Sequence, residues 1–215
     1  DNPYTFSVTE EKTVYAKFEL MDIKINSDVD GVWPTPWSQY IMDHDPGSPA
    51  VYTYSTTLTR RVTEGGVAPF NSGYHFNFLD SNGELLYNYN GVQTPPTYSG
   101  SSIDGVRKTD DGNPTIQFGL TRKSDVTITL TLQEAEQPTV NIAADPYYTV
   151  HTAKGGSGAA GITINPTSVE ARSGANSAEI TATIAPGYTF VNWTPAGSII
   201  INSPNATTTT VKATG

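Results

Sequence analysis

The sequence predicts an all-β chain built around an antiparallel β-sandwich, on three observations. Short runs alternate apolar and polar residues with the period of a half-buried strand. Clusters of Gly, Pro, Asn, Asp and Ser separate those runs at close intervals, as turns do. The composition, 36% hydrophobic and 10% aromatic with Tyr, Val, Ile and Thr dominant, can build cores without helices, which also makes overall disorder a poor description. At 215 residues there is room for two compact domains or one large sandwich.

The first twenty residues alternate strongly. Tyr4, Phe6 and Val8, then Val14, Ala16, Phe18 and Leu20, flank the polar turn Glu10-Glu11-Lys12, which predicts two strands joined as a hairpin. A lone hairpin is marginal in water, so this one needs a surface to pack on. Seven further strands are expected over residues 23–25, 39–42, 51–62, 74–79, 84–89, 115–120 and 126–132, which suggests a sandwich over residues 21–136. Ser81-Asn82-Gly83 marks a hairpin turn, because Asn-Gly supplies positive φ angles. The Pro-, Ser-, Gly- and Asp-rich stretch 91–112 predicts a long surface loop.

Gln137-Pro138 interrupts the chain, and the composition then shifts toward Ala, Gly, Thr and Ile, placing a domain boundary there. In residues 137–215 strands are expected at 147–152, 161–164, 177–185, 188–193, 198–201 and 207–213.

Charge and chemistry narrow the function. The balance of 12 basic against 21 acidic residues, with no cationic cluster longer than Arg60-Arg61 or Arg107-Lys108, disfavours nucleic acid and anionic membranes as partners. The absence of cysteine removes disulfides, thiolate metal sites and thiol nucleophiles. No apolar run reaches the length that spans a bilayer, and Asp1-Asn2-Pro3-Tyr4 does not resemble a signal peptide. Lacking an initiator Met and stopping at Thr214-Gly215 just after a strand-like run, the sequence reads as a fragment of a longer protein. His44, His75 and His151 fall in no catalytic or metal-binding spacing, and no carboxylate pair is advertised, so an enzyme is not expected. His75, inside Tyr74-His75-Phe76-Asn77-Phe78, is expected on the exposed face of a strand, and Asp43-His44-Asp45 in a turn.

Two clusters compete with a purely structural reading. Asn26, Asp28 and Asp30, followed by Gly31, reproduce the first half of a calcium loop, although its twelfth position is Trp37 rather than Glu; Ca²⁺ is the one cofactor considered, against a plain solvated turn. Next along the chain, Trp33 and Trp37 are held by Pro34 and Pro36 in a stiff loop. They are expected either to offer a platform for sugar rings, with Gln39, Tyr40, Asp28 or Asp30 beside them, or to plug the end of the sandwich core.

Gly187, Tyr188, Phe190 and Trp193, in a run preceded by Gly155-Gly156 and Gly161-Ile162-Thr163-Ile164-Asn165-Pro166, resemble the Gly-Tyr-x-Phe-x-x-Trp core of the divergent internalin-type B-repeats of bacterial surface proteins. Residues 2–9 with Lys12 to Phe18 resemble the closing strands of another such repeat, so residues 1–20 are expected as its closing hairpin and 137–215 as a repeat truncated before its last strand. The resemblance implies a β-grasp-like stalk or spacer, neighbouring repeats in the parent chain, and an extracellular or cell-surface bacterial location. Physically, Tyr188, Phe190 and Trp193 are expected to supply the bulk of a small core, with Gly187 permitting a tight entry. Residues 51–58 and 74–83 resemble strands of sugar-binding sandwiches associated with starch-degrading systems, from which no binding residue is carried over. The expected function is non-catalytic adhesion or display toward a host or cell-surface protein or glycan; the alternative is a carbohydrate-binding module of a larger polysaccharide-processing protein.

Overall fold

Alternating Val, Ile and Leu residues with Thr between them form the longest ladder of the chain, and the architecture is built outward from it. The computed structural model describes residues 21–29, 37–45, 47–61, 73–109 and 115–214. The hairpin expected over 1–20, with Asp30 and Trp33, lies outside the described residues.

The chain is all-β. In order, the strands of the first unit are β1 (Lys24–Ser27), β2 (Ser38–Ile41), β3 (Asp43–Asp45), β4 (Ser48–Leu58), β5 (Tyr74–Leu79), β6 (Leu85–Tyr87), β7 (Thr97–Ser99), β8 (Ile103–Lys108), β9 (Ile116–Leu120), β10 (Ser124–Thr131) and β11 (Thr139–Pro146). They form two sheets, one ordered β2-β1-β5-β9-β8 with β6 on β5, the other β3-β4-β10-β11-β7. Every pairing is antiparallel except that of β7 with β11.

The core lies between these sheets. On β10 the residues Ser124, Val126, Ile128 and Leu130 are buried and their neighbours half-buried, and β11 alternates in the same way through Val140, Ile142 and Ala144. Against them the other sheet turns Ile25, Phe76, Phe78, Ile116 and Phe118, all fully buried. Phe76 meets Phe78 edge-on at 5.6 Å, and Tyr74 stacks on Phe118 at 5.6 Å. Such aromatic contacts add about 0.5–1.5 kcal/mol each beyond the area they bury. At the expected hairpin, β5 does turn into β6, but only Gly83 takes a positive φ (87°); Asp80 Oδ1 closes the turn by accepting from the backbone N–H groups of Asn82 and Glu84.

Four expectations are corrected here. The sandwich does not end at 136: β11 pairs along its full length with β10, so the sheet runs on to Pro146. The surface loop expected over 91–112 contains β7 and β8, because Gly and Ser there allow close strand approach while Ile103 and Val106 supply inward side chains. Asp43-His44-Asp45 is strand rather than turn, paired with β4 through a bulge. His75 points away from the core, as expected, yet it is half-buried rather than exposed.

Beyond Pro146 the strands shorten. They are β12 (Tyr148–His151), β13 (Ile162–Asn165), β14 (Ser168–Ala171), β15 (Ile180–Ile184), β16 (Ile199–Ile201), β17 (Thr208–Thr209) and β18 (Val211–Ala213). They pair as β12-β14, β13-β15-β17 and β16-β18 around a small core of Val169, Ala171, Ile180 and Val211. The strand expected over 188–193 is absent; that run joins no strand.

Candidate functional site

Register places a row of polar groups on the outer face of the β2-β1-β5-β9-β8 sheet. Gln39 on β2 stands opposite Asn26 on β1, which stands opposite Asn77 on β5; on the same face of the sheet His75 stands opposite Gln117, and Gln117 opposite Arg107. The Asn26 amide donates to Asn77 Oδ1 at 3.2 Å, and Arg107 Nε donates to Gln117 Oε1 at 2.7 Å.

Asp28, just past β1, is the centre of this face. Its side chain is fully buried (0% exposed). Oδ1 accepts from the His75 backbone N–H at 2.8 Å, while Oδ2 lies 2.8 Å from Arg61 Nη1 and 2.9 Å from His75 Nδ1. Arg61 also donates to the backbone carbonyls of Asp28 and Gly73 and lies over the Tyr74 ring, 3.9 Å from its centroid. Burial by itself pushes the Asp28 carboxyl up, but the hydrogen bonds from His75 and the Arg61 charge outweigh it and hold the group below its ordinary value of 3.8. Trp37 is half-buried and stacks on His75, ring centroids 6.3 Å apart.

These contacts redistribute the residues expected to act together. Asp28 gives both oxygens to Arg61 and His75, and Asn26 is turned onto Asn77, so these two residues of the expected half calcium loop tie β1 to β5. Among the described residues no three His, Asp or Glu side chains gather as a metal would need. Trp37 and exposed Gln39 share a face, but Tyr40 alternates to the other side. There it packs on the core and meets the Tyr54 ring at 5.1 Å, its hydroxyl enclosed with no hydrogen-bond partner among the described residues. An Asp–His pair orients a general base in hydrolases; here Arg61 shares the carboxylate and Trp37 stacks beside the His75 ring. Neither Arg61 nor His75 carried a local signal, since each meets Asp28 from 33 and 47 residues away.

The second site is an open groove of about 850 Å³ in the last unit, floored by Ile164, Ala182 and Ile201 and walled by Tyr188, Phe190 and Trp193. Of the three aromatics expected to fill the core, Trp193 does pack against it, while Tyr188 and Phe190 do not join it. Tyr188 is 44% exposed, and Phe190 and Trp193 are half-buried, tilted against each other at 5.5 Å. Gly187 does take the positive φ (86°) expected of it, and Trp193 is pinned by Nε1–H donation to the Ala206 carbonyl at 2.8 Å. The three rings line the cleft. His151 and Lys154 stand at its rim.

Comparison with protein-family models, curated proteins and solved structures finds no match for this chain.

Proposed function

We propose that this chain is a non-catalytic piece of a bacterial cell-surface or secreted modular protein, working in display and adhesion. The observation that supports it best is the joint between the sandwich and the last unit. Tyr147 follows β11 directly, donates its N–H to the Lys123 carbonyl at 2.9 Å, and bonds Asp125 with its hydroxyl at 3.0 Å. Arg172 of the last unit reaches back to Asp125 at 2.7 Å and Asp145 at 3.2 Å, and Lys123 reaches forward to Glu170 at 2.5 Å. Cations also cover both tyrosines: Lys123 lies 4.6 Å from the Tyr147 ring and Arg122 lies 4.8 Å from the Tyr148 ring. Burial first, and then the Asp125 carboxylate, raise the Tyr147 phenol above its ordinary value, so the hydroxyl stays a donor at any physiological pH. A one-residue connection, Tyr147, flanked by several charge-assisted contacts transmits orientation, which a stalk requires and a freely jointed linker does not provide. Antibodies raised against the chain should label intact cells of the organism that makes it; labelling that appears only after permeabilisation would end this reading.

A second reading, carbohydrate capture, is favoured by Trp37 and Gln39 standing together on a polar sheet face. Apolar faces of sugar rings stack on indole, and amides bond the hydroxyls. A glycan array should then show binding that the Trp37→Ala chain and the Trp33→Ala/Trp37→Ala chain both lose. Binding retained in both variants would exclude this face.

A further inference from the structure

The groove of the last unit has walls that the protein itself holds in place. The Tyr188 ring lies so close over Gly161 that a Cβ there would meet it at 2.2 Å, and the Trp193 indole is fixed by its Nε1–H bond to the Ala206 carbonyl. The floor is aliphatic: Ile164, Ile199 and Ile201 are half-buried and pack beside the small core. A volume of about 850 Å³ lies within the roughly 300–1,000 Å³ of sites that take a small molecule. Rings fixed before a ligand arrives lower the ordering cost of binding it.

Charge sets this part of the chain apart. Residues 1–146 carry nine basic and nineteen acidic side chains, whereas residues 147–215 carry three basic and two acidic. Of those five, Arg172 and Glu170 are engaged at the joint, by Asp125, Asp145 and Lys123. Lys154 lines the groove and makes no ion pair among the described residues, and no carboxylate stands among the described residues that line it.

Next to Lys154, exposed Gly155, Gly156 and Ser157 also line the groove, and their N–H groups meet no acceptor among the described residues. Gly156 takes a positive φ (79°), and a turn of that kind presents successive N–H groups to an anion. The same loop reaches the aromatic wall, since a Cβ on Gly158 would lie 3.3 Å from the Tyr188 ring. One groove thus joins an apolar floor to an end suited to a negative charge.

That polarity selects the ligand. Sugar hydroxyls pressed onto isoleucines lose water without gaining a partner, and no described carboxylate lines the groove to accept from them. Hydrocarbon covers such a floor at no polar cost, and a single anionic head answers Lys154. We propose that the groove binds an amphipathic carboxylate of the fatty-acid class, its hydrocarbon on Ile164, Ile201, Phe190 and Trp193 and its head at Lys154 and the N–H groups of Gly155 to Ser157. This site is separate from the joint and does not depend on the display role.

Titration of the full chain with dodecanoate below its micelle concentration tests this, with dodecanol and dodecylammonium as companions of equal chain length. The expected result is saturable binding of dodecanoate at one site per chain, with nuclear Overhauser contacts from its chain protons to the Phe190 and Trp193 rings. Dodecanol should bind at least about tenfold more weakly, and dodecylammonium more weakly still. Lys154→Glu changes an exposed loop residue; it should weaken dodecanoate at least about tenfold and leave dodecanol unchanged, which shows in the same variant that the groove is intact. No saturable binding, equal binding of the three amphiphiles, contacts to rings outside the groove, or a Lys154→Glu chain that holds dodecanoate like the wild type would each overturn the proposal.

Discussion

The sandwich and the last unit are both built of β-strands, yet one encloses Phe76, Phe78 and Phe118 and the other leaves Tyr188 and Phe190 in a cleft. In the sandwich, β4 and β10 pair over eight successive positions, and long strands let one face be covered end to end by the opposing sheet. In the last unit no ladder exceeds four paired positions, and the fully enclosed apolar cluster is Val169, Ala171, Ile180 and Val211. Small domains bury a smaller fraction of their surface, so β-strands yield a firm core in one case and an incomplete one in the other. The lesson is that aromatic content does not make a core: Phe118 is fully buried because two sheets sandwich it, whereas Tyr188 rests its ring against Gly161 and is still 44% exposed.

The comparison can be broken first at its strongest point. Phe118→Ala should destabilise the sandwich by about 3–5 kcal/mol, since the cavity sits among Tyr74 and Phe76 and cannot collapse, and urea denaturation would show it. Asp28→Ala comes next, at about 3 kcal/mol, because it leaves Arg61 and His75 facing each other without the carboxylate between them. The same group predicts an acid limb. Its folded-state value is lowered, so its contribution is complete above the ordinary 3.8 and is lost as pH falls through the lower folded value. Asp28→Asn should flatten the denaturation midpoint against pH in that acid range, and an unchanged limb would assign acid sensitivity elsewhere.

In the last unit the same kind of truncation should matter less. Val211→Ala is expected to cost about 2 kcal/mol, with the loss confined to that unit in hydrogen exchange, because a half-open core collapses around the two missing methyl groups more easily. The smallest effect carries the opposite sign. Tyr40→Phe removes an enclosed hydroxyl that has no partner among the described residues and should leave stability unchanged or raise it by up to about 1 kcal/mol. A clear loss would show that the hydroxyl is satisfied in solution.

Legibility in the sequence followed the range of the interactions. The strands β5, β10 and β15 are visible from alternation alone, and the Gly83 and Gly187 backbones from the turns they occupy. The β7 and β8 strands were hidden because Gly, Ser and Pro are local signals for loop, while what holds the strands is pairing with β11 and β9. Likewise Trp37, Gln39 and Tyr40 form one cluster along the chain, but the strand period sends Tyr40 to the opposite face.

What the amino-acid sequence determined by itself is the all-β class, most strand positions, the absence of thiol chemistry and the net negative charge of -9. Each follows from composition or from residues within one turn of each other. Tertiary structure alone decided that Asp28 belongs to Arg61 and His75, that β11 completes the sandwich, and that Tyr188 to Trp193 border a groove. Those outcomes depend on which distant segments reach one another, and side-chain burial is a property of the opposing surface as much as of the residue buried.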